Sequence, residues 1–561
     1  MGPKGTTAPL RAEVGRLRDG ILGSDVAADA PPDKRRVTGL RDKLAYNLQL
    51  DRTPVAALVG VAAVFGISAF QLLTIRDGQD WGPDFAQYIH HARNIAAGIP
   101  YADIGYIYNP DFPALSPKAY PPMFPLLLAP VYAAFGTNLT AMKVVVIASF
   151  IASLVVLWLL FRREMRRPAA VIVIAALAFN PFLCVFKNEV RSDFPFLFFV
   201  ALALLLMQRR PRRPGPLTTY AIGLGAVIYL AVATRSFGLV LVPTLLAADL
   251  IRSRAVSRAT AIALGTLVCL SILQGVAFGT DRSYLDQLPP TWHTVSSNAE
   301  SYWHDLWTLW WNGYSDAATT TVWRLIGVLA ILGYAVRIWQ GLAERRPLSL
   351  ELFLIFYVAL ALAWPGNQGL RFLIPVIPLY VFFAFEGGSM IGRLMFRRRG
   401  EIAAVVMLGA VIFASYAGQY TRMDLGPITP GVTQPESSAL FEFINGNTRP
   451  SDVLVFRKPQ TLTLFTGRPA SVFHKPREGR ELWAYLTRIQ ARYIVLGPQG
   501  VEPEDQAFLR RFIDAYRHRM RKVFVNRSFT VYRVAAGAAM VRTVVLATPE
   551  GVDAGCERSV G

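Results

Sequence analysis

Residues 54–74 read PVAALVGVAAVFGISAFQLLT, and shortly after them comes Trp81-Gly82-Pro83-Asp84-Phe85-Ala86-Gln87-Tyr88. The first stretch carries no charge over a length that crosses a bilayer at about 1.5 Å per residue. The second sets a carboxylate, Asp84, just past its end, so the acid stands at a membrane face. A polar loop and then Tyr120-Pro121-Pro122 follow. An acid in this position is either a solvated loop residue or the start of an active site, and the rest of the chain decides between them.

The composition points the same way as residues 54–74. Of 561 residues, 53% are apolar and only 17% charged, against about 25% charged in soluble domains. Several runs of about 17–22 residues carry almost no charge, which indicates a polytopic membrane protein. The first fifty residues are polar and basic, without the order of a cleaved signal peptide. The net charge of +20 does not indicate nucleic acid, because the arginines fall in short clusters between apolar runs. Three cysteines make no disulfide framework: Cys184 and Cys269 lie in apolar runs and Cys556 near the C-terminus. No zinc-ligand spacing occurs, and His90-His91, adjacent on a helix, do not share a face.

About eleven spans are expected, near 54–75, 141–161, 168–184, 194–208, 218–234, 237–251, 259–278, 319–340, 348–364, 371–387 and 401–418. Charge tests the count. Arg162-Arg163, Arg209-Arg210, Arg252 with Arg254, Arg345-Arg346 and Arg397-Arg398-Arg399 follow the second, fourth, sixth, eighth and tenth spans. Every even exit is arginine-rich, which places these loops and the basic N-terminus in the cytoplasm and the odd exits outside. The apolar segment from Tyr120 to Gly136 would invert this pattern if it crossed. It also holds Pro121, Pro122, Pro125 and Pro130, so it is expected as an external, membrane-edge or re-entrant segment.

Three regions result. Residues 1–53 are a cytoplasmic basic arm, with an amphipathic helix expected at 41–50. Residues 54–418 form the transmembrane unit, with an external loop at 76–140. Residues 419–561 form a small α/β domain outside the membrane, with helices near 436–445 and 504–516 and strands near 453–456, 493–496 and 530–534. The fold class is mainly α: a polytopic helical bundle with this C-terminal domain.

Polar groups at the outer ends of spans are expensive unless satisfied, so they are candidates for function. The first loop offers Asp84, Tyr88, His90, Asp103, Asn109, Lys118 and Tyr120. The third-to-fourth connection offers Lys187, Arg191 and Asp193, the fifth-to-sixth Arg235, and the ninth-to-tenth Arg371. All lie on the external face by the charge argument. Lys187, Arg191, Arg235 and Arg371 suit an anionic lipid phosphate, Arg with a bidentate fork. Asp84 suits proton abstraction from an acceptor hydroxyl. A sugar phosphodiester carries a good leaving group, so one carboxylate with several cations suffices, unlike glycoside hydrolysis with its two carboxylates. The tryptophans of 292–311 fit an interfacial belt better than sugar stacking.

The stretches 81–88, Ala92-Arg93-Asn94-Ile95-Ala96-Ala97-Gly98-Ile99-Pro100-Tyr101 and Tyr120-Pro121-Pro122-Met123-Phe124-Pro125-Leu126-Leu127 resemble the GT-C glycosyltransferases. The branch they look like is that of the protein-O-mannosyltransferases and lipid A aminoarabinose transferases. Arg191-Ser192-Asp193, Arg371-Phe372-Leu373-Ile374-Pro375, Leu440-Phe441-Glu442-Phe443-Ile444 and Leu464-Phe465-Thr466-Gly467-Arg468-Pro469 fit that branch. The resemblance implies a GT-C bundle and inverting transfer from a polyprenyl-phosphate sugar at the non-cytoplasmic face. The acceptor would be a glycan, lipid or protein, and membrane lipid would surround the enzyme. It implies Asp84 as the base and Lys118 near the donor phosphate. Many members follow that Asp with Glu, whereas Phe85 stands here, a departure toward the polyprenyl-phosphate-mannose-dependent enzymes that leaves the sugar open. Some relatives outside the branch use a divalent metal, for which no ligand set is legible here.

The reading from sequence is therefore a membrane glycosyltransferase of a bacterial inner or plasma membrane, with no nucleic-acid partner. The alternative is a transporter or flippase of lipid-linked sugars. Against it stand the lack of an internal repeat and the gathering of charge at one face rather than mid-membrane.

Overall fold

The computed structural model describes residues 54–112, 117–209, 217–279, 291–310, 317–344, 346–498 and 502–535. The basic arm with its expected helix, Trp311 and Cys556 lie outside the described residues.

Fourteen helices run through the first three-quarters of the described chain: α1 Pro54–Leu73, α2 Pro83–Ala97, α3 Met123–Phe135, α4 Leu139–Glu164, α5 Arg167–Ala178, α6 Pro181–Phe186, α7 Asp193–Gln208, α8 Leu217–Thr234, α9 Leu241–Ser253, α10 Arg258–Phe278, α11 Trp292–Thr308, α12 Ala317–Glu344, α13 Ser349–Ala363 and α14 Ile377–Tyr420. Six helical stretches among the described residues are long and apolar enough to cross a membrane: α4, α8, the run Ser236–Ser253 that ends in α9, α10, α12 and α14. Shorter apolar helices stand at Leu58–Leu73, α3, α5, α7 and α13. The protein is an integral membrane protein. Large apolar side chains such as Phe65, Ile272, Val276 and Met407 point outward, as lipid-facing residues do.

Three expected spans differ in form. The run 168–184 is broken into α5 and α6 because Pro181 cannot continue the ladder, and Asn180 caps the new start by accepting from the Leu183 amide at 3.0 Å. The tenth and eleventh spans are joined within α14, whose backbone leaves the helix at Phe396 (φ −136°, ψ 27°) and Arg397 (φ 52°, ψ −137°). The two halves double back, and a Cβ on Gly400 would lie 2.0 Å from the Gly392 carbonyl oxygen. Small residues of this kind let membrane helices touch backbone to backbone. The segment after Tyr120 is the 13-residue α3, with Pro130 inside it. At 1.5 Å per residue it is roughly 20 Å long, short of a bilayer.

After α14 come α15 Pro435–Asn447, β2 Val453–Val455, α16 Pro459–Thr466, β3 Ala470–Ser471, α17 Gly479–Arg488, β4 Ala491–Leu496, α18 Pro503–Ala515, β5 Met520–Val525 and β6 Thr530–Val534. With β1, Tyr106–Ile107, they form one sheet of order β1-β3-β2-β4-β6-β5. β1, β3, β2 and β4 run parallel, with Tyr106 opposite Ala470 and Leu454 opposite Ala470 from the other side. β6 and β5 complete the sheet antiparallel. The edge strand β1 belongs to the loop between α2 and α3, so the α/β unit is not built from 419–561 alone. A two-residue strand has no sequence signature, and it forms because β3 leaves an edge for Gly105 to Ile107 to pair with.

That loop is tied down at several points. Trp81 is buried among Phe441, Phe456 and Phe529 of the α/β unit, with ring centroids at 5.6, 5.5 and 5.2 Å. Thr461, in the first turn of α16, donates to the Gly82 carbonyl at 2.8 Å. The Ile428 and Val432 amides donate to the carbonyls of Asp77 and Gln79, both at 2.8 Å. The α/β unit thereby grips the chain just before Asp84.

Candidate active site

Asp84 stands in the first turn of α2, after Gly82 in extended conformation and Pro83. Proline at this position is preorganised for a helix start, and the helix N-terminus favours a carboxylate. Gly82 keeps the approach open: a Cβ there would meet Asp80 Oδ1 at 3.2 Å and Arg191 Nη2 at 3.4 Å. Both Asp84 oxygens are engaged. The Tyr120 phenol donates to Oδ1 at 2.6 Å, and Arg371 Nη2 pairs with Oδ2 at 2.5 Å.

Arg371 sits on a 3₁₀ turn, Gly369–Arg371. Its Nε reaches Asp193 Oδ2 at 3.4 Å and its Nη1 reaches Gln368 Oε1 at 2.8 Å. Asp193 opens α7 and takes the Arg235 guanidinium on its other oxygen. Asp84, Arg371, Asp193 and Arg235 thus form one charge chain drawn from four separate parts of the sequence. Arg191 stands beside it, paired with Asp80 at 3.0 Å and with Glu189.

Burial would push the Asp84 carboxyl up, but Arg371, Arg191 and the Tyr120 hydrogen bond hold it well below the usual carboxylate range. Burial, seconded by the Asp84 charge, raises the Tyr88 phenol to about 12. Glu189 is pushed up to about 7 by burial despite Arg191.

Tyr120 is clamped. Its ring stacks on Tyr88 at 4.8 Å, and the Tyr88 hydroxyl shares a 2.8 Å hydrogen bond with Ser192. Its amide donates to His91 Nε2 at 3.3 Å, and its carbonyl accepts from the Tyr101 hydroxyl at 2.8 Å. His91 Nδ1 bonds the Tyr101 carbonyl at 2.8 Å and the two rings stack at 4.1 Å. His91 and Tyr101 were not among the sequence candidates. Tyr101 lies in a quoted motif, but nothing in the spacing says that it reaches back to Tyr120.

The other candidates make different contacts. Lys187 is buried and turned inward, donating to the carbonyls of Gln71 at 2.6 Å and Thr74 at 3.0 Å. It satisfies the end of α1, where orphan carbonyls and the helix dipole attract a cation. His90 is buried, and burial together with Arg93 lowers its pKa to about 3, so it stays neutral. Asn109 is buried and ties the loop to the sheet through the Val472 carbonyl at 3.0 Å. Asp103 is exposed, and its backbone carbonyl accepts from Asn94 at 2.7 Å. Lys118 is exposed, its ammonium 5.3 Å from the centre of the Tyr108 ring. Of the tryptophans, Trp292 is exposed, while Trp307 and Trp310 are buried against the bundle.

Among the described residues no group of three or more His, Cys, Asp or Glu side chains is disposed to hold a metal ion. Asp84 and Asp193 share Arg371, and Asp80 and Glu189 share Arg191, so a guanidinium stands between each pair of acids where a cation would sit. This donor set does not fit a divalent metal.

Residues 119–277 match the family described as dolichyl-phosphate-mannose-protein mannosyltransferase. That stretch contains Tyr120, Arg191, Asp193 and Arg235 but neither Asp84 nor Arg371. No curated protein matches the chain in sequence. Solved structures do resemble it. ArnT from Cupriavidus metallidurans bound to undecaprenyl phosphate is 15% identical with a TM-score of 0.51, covering 87% of this chain and 99% of that one. The oligosaccharyltransferase of Archaeoglobus fulgidus, tethered to an acceptor peptide, is 10% identical with a TM-score of 0.50, covering 86% and 75%. The mycobacterial arabinofuranosyltransferase AftD is 14% identical with a TM-score of 0.51, covering 85% of this chain and 40% of its own. The chain thus shares its fold with these membrane glycosyltransferases, and the stretch that matches the mannosyltransferase family runs through its charge cluster.

Proposed function

We propose that the protein transfers a sugar from a polyprenyl-phosphate donor to a hydroxyl of a glycan, lipid or protein acceptor on the non-cytoplasmic face, with inversion. The observation that carries this reading is the Asp84–Arg371–Asp193–Arg235 chain at the ends of apolar helices, with Arg191 beside it. The acceptor oxygen attacks the anomeric carbon as its proton passes to Asp84. The bond from that carbon to the phosphate oxygen breaks, and polyprenyl phosphate leaves with the electron pair. Arg371, Arg235, Arg191 and Lys118 are assigned to the phosphate, whose growing charge they stabilise. Asp84 is ionised at neutral pH, as a base must be. Tyr88 and Tyr120 place and screen that carboxylate.

Support also comes from the solved relatives, since ArnT was captured with undecaprenyl phosphate and the archaeal oligosaccharyltransferase with dolichol phosphate. The test is sugar transfer in membranes from radiolabelled polyprenyl-phosphate sugars, comparing wild type with Asp84→Asn. Label reaching an acceptor with wild type alone supports the reading and names the sugar. Label crossing the bilayer unchanged, equally with both proteins, replaces the transferase by a flippase.

A further inference from the structure

The transfer reading makes Asp84 a base, yet the carboxylate is held as a weak one. Tyr120 occupies Oδ1 and Arg371 occupies Oδ2, at 2.6 and 2.5 Å. A base gains strength near working pH when its anion is less stabilised, so one of these partners has to go before Asp84 takes a proton.

The surroundings say which one. Tyr120 is fixed by its stack on Tyr88 and by bonds to both sides of its peptide unit. Arg371 is held differently. It sits on one 3₁₀ turn, preceded by Gly366, whose surroundings are open, and by Gly369 at φ +59°. Its guanidinium already reaches a second carboxylate, Asp193, which Arg235 covers on its own. Two acids and two arginines make this chain neutral. A phosphodiester brings one negative charge, and Arg371 is the cation in the chain whose removal from its acid serves the reaction.

Resting on the donor assignment above, we infer that Arg371 exchanges ligands during turnover: the donor phosphate draws its guanidinium from Asp84, and Asp84 becomes an effective base only then. Tyr120 keeps Oδ1 in place throughout, so the freed oxygen is Oδ2, on the side from which the phosphate has taken the arginine. The order of events follows. The site without donor holds a quenched base, and arrival of the donor releases it next to the sugar it has brought. Asp84 and phosphate compete for one arginine, so each weakens the other's hold, by the same factor in both directions.

The test is the affinity of the full-length protein in detergent for a polyprenyl monophosphate without sugar, at fixed ionic strength, by titration calorimetry. With Asp84→Asn the competitor is gone, and the Kd is expected to fall at least about fivefold. In an Arg371→Ala background the same Asp84 change is expected to gain less than about twofold, because no arginine remains to be released. Asp84→Ser carries the same expectation and serves where the Asn variant does not fold. An unchanged or weaker Kd in the Asp84 variants overturns the exchange while leaving the donor assignment standing. A gain that persists without Arg371 overturns it too, since plain charge repulsion explains that result. Wild type that binds no polyprenyl phosphate removes the donor assignment and the exchange together.

Discussion

The phenol of Tyr120 donates to Asp84 Oδ1 at 2.6 Å, although the two residues are 36 positions apart. Tyr120-Pro121-Pro122 is therefore more than a helix start. It orients the carboxylate on which the proposed chemistry depends, and His91 and Tyr101 hold it in that position.

Tyr120→Phe keeps the ring stack on Tyr88 and removes the hydrogen bond to a charged acceptor. Such a bond is worth about 1.5–3 kcal/mol, so kcat/KM is expected to fall about 10- to 100-fold with the melting temperature nearly unchanged. Tyr120→Ala loses the stack as well and should melt lower. A Phe variant with wild-type kcat/KM would show that the contact does not orient Asp84.

Asp84→Asn should lower transfer by about 10²–10⁴-fold, the usual contribution of a general base. An amide still accepts from Tyr120, and Arg371 keeps Asp193, so folding is expected to survive. Labelled-sugar transfer and thermal unfolding, measured on the same preparation, separate the two effects.

Arg235→Ala leaves Asp193, 2% exposed, with only the longer contact to Arg371. Removing one partner of a buried pair costs about 3–5 kcal/mol, so thermal unfolding should drop by several degrees. Arg235→Lys keeps the charge but not the fork and should fall in between. Equal melting of all three proteins would contradict the buried pair.

Glu189 has a pH signature. Its carboxyl is raised from 4.5 to about 7, first by burial, so the folded protein binds the extra proton between those values. Stability from this group is therefore full below about pH 4.5 and declines as pH rises toward 7, by at most about 3 kcal/mol. Asp84 acts with the opposite sign, but only below its unfolded value of 3.8, outside this window. Melting of wild type and Glu189→Gln at pH 5 and pH 8 checks this: the wild-type loss between the two pH values should exceed that of the variant.

Trp81→Ala empties a cage of three phenylalanines. Deleting a buried Trp costs about 3–5 kcal/mol, and it slackens the grip of the α/β unit on the chain three residues before Asp84. Both unfolding temperature and transfer rate should fall. Loss of stability with full transfer in the molecules that remain folded would separate the α/β unit from the site.

Much of the bundle is legible in the residues alone. Uncharged stretches such as 54–74 must leave water, and arginines such as 397–399 must stay out of lipid; both are local costs that do not depend on what the chain meets elsewhere. The strand near 493–496 belongs to the same class, whereas the run 168–184 was expected as one span and Pro181 divides it. Asp84 is also visible, since an acid at a membrane face needs a reason to be there. What the sequence does not contain is partnership. Lys187 and Arg371 are both cations at the ends of apolar runs, yet Lys187 turns inward to the carbonyls of α1 and Arg371 turns to Asp84. Strand β1 is two residues of a loop until β3 supplies an edge for it. Burial and charge pairing are energies between groups distant in the chain, so the tertiary structure alone decides which cation meets the acid, which tyrosine holds it, and that the α/β unit grips the chain just before it.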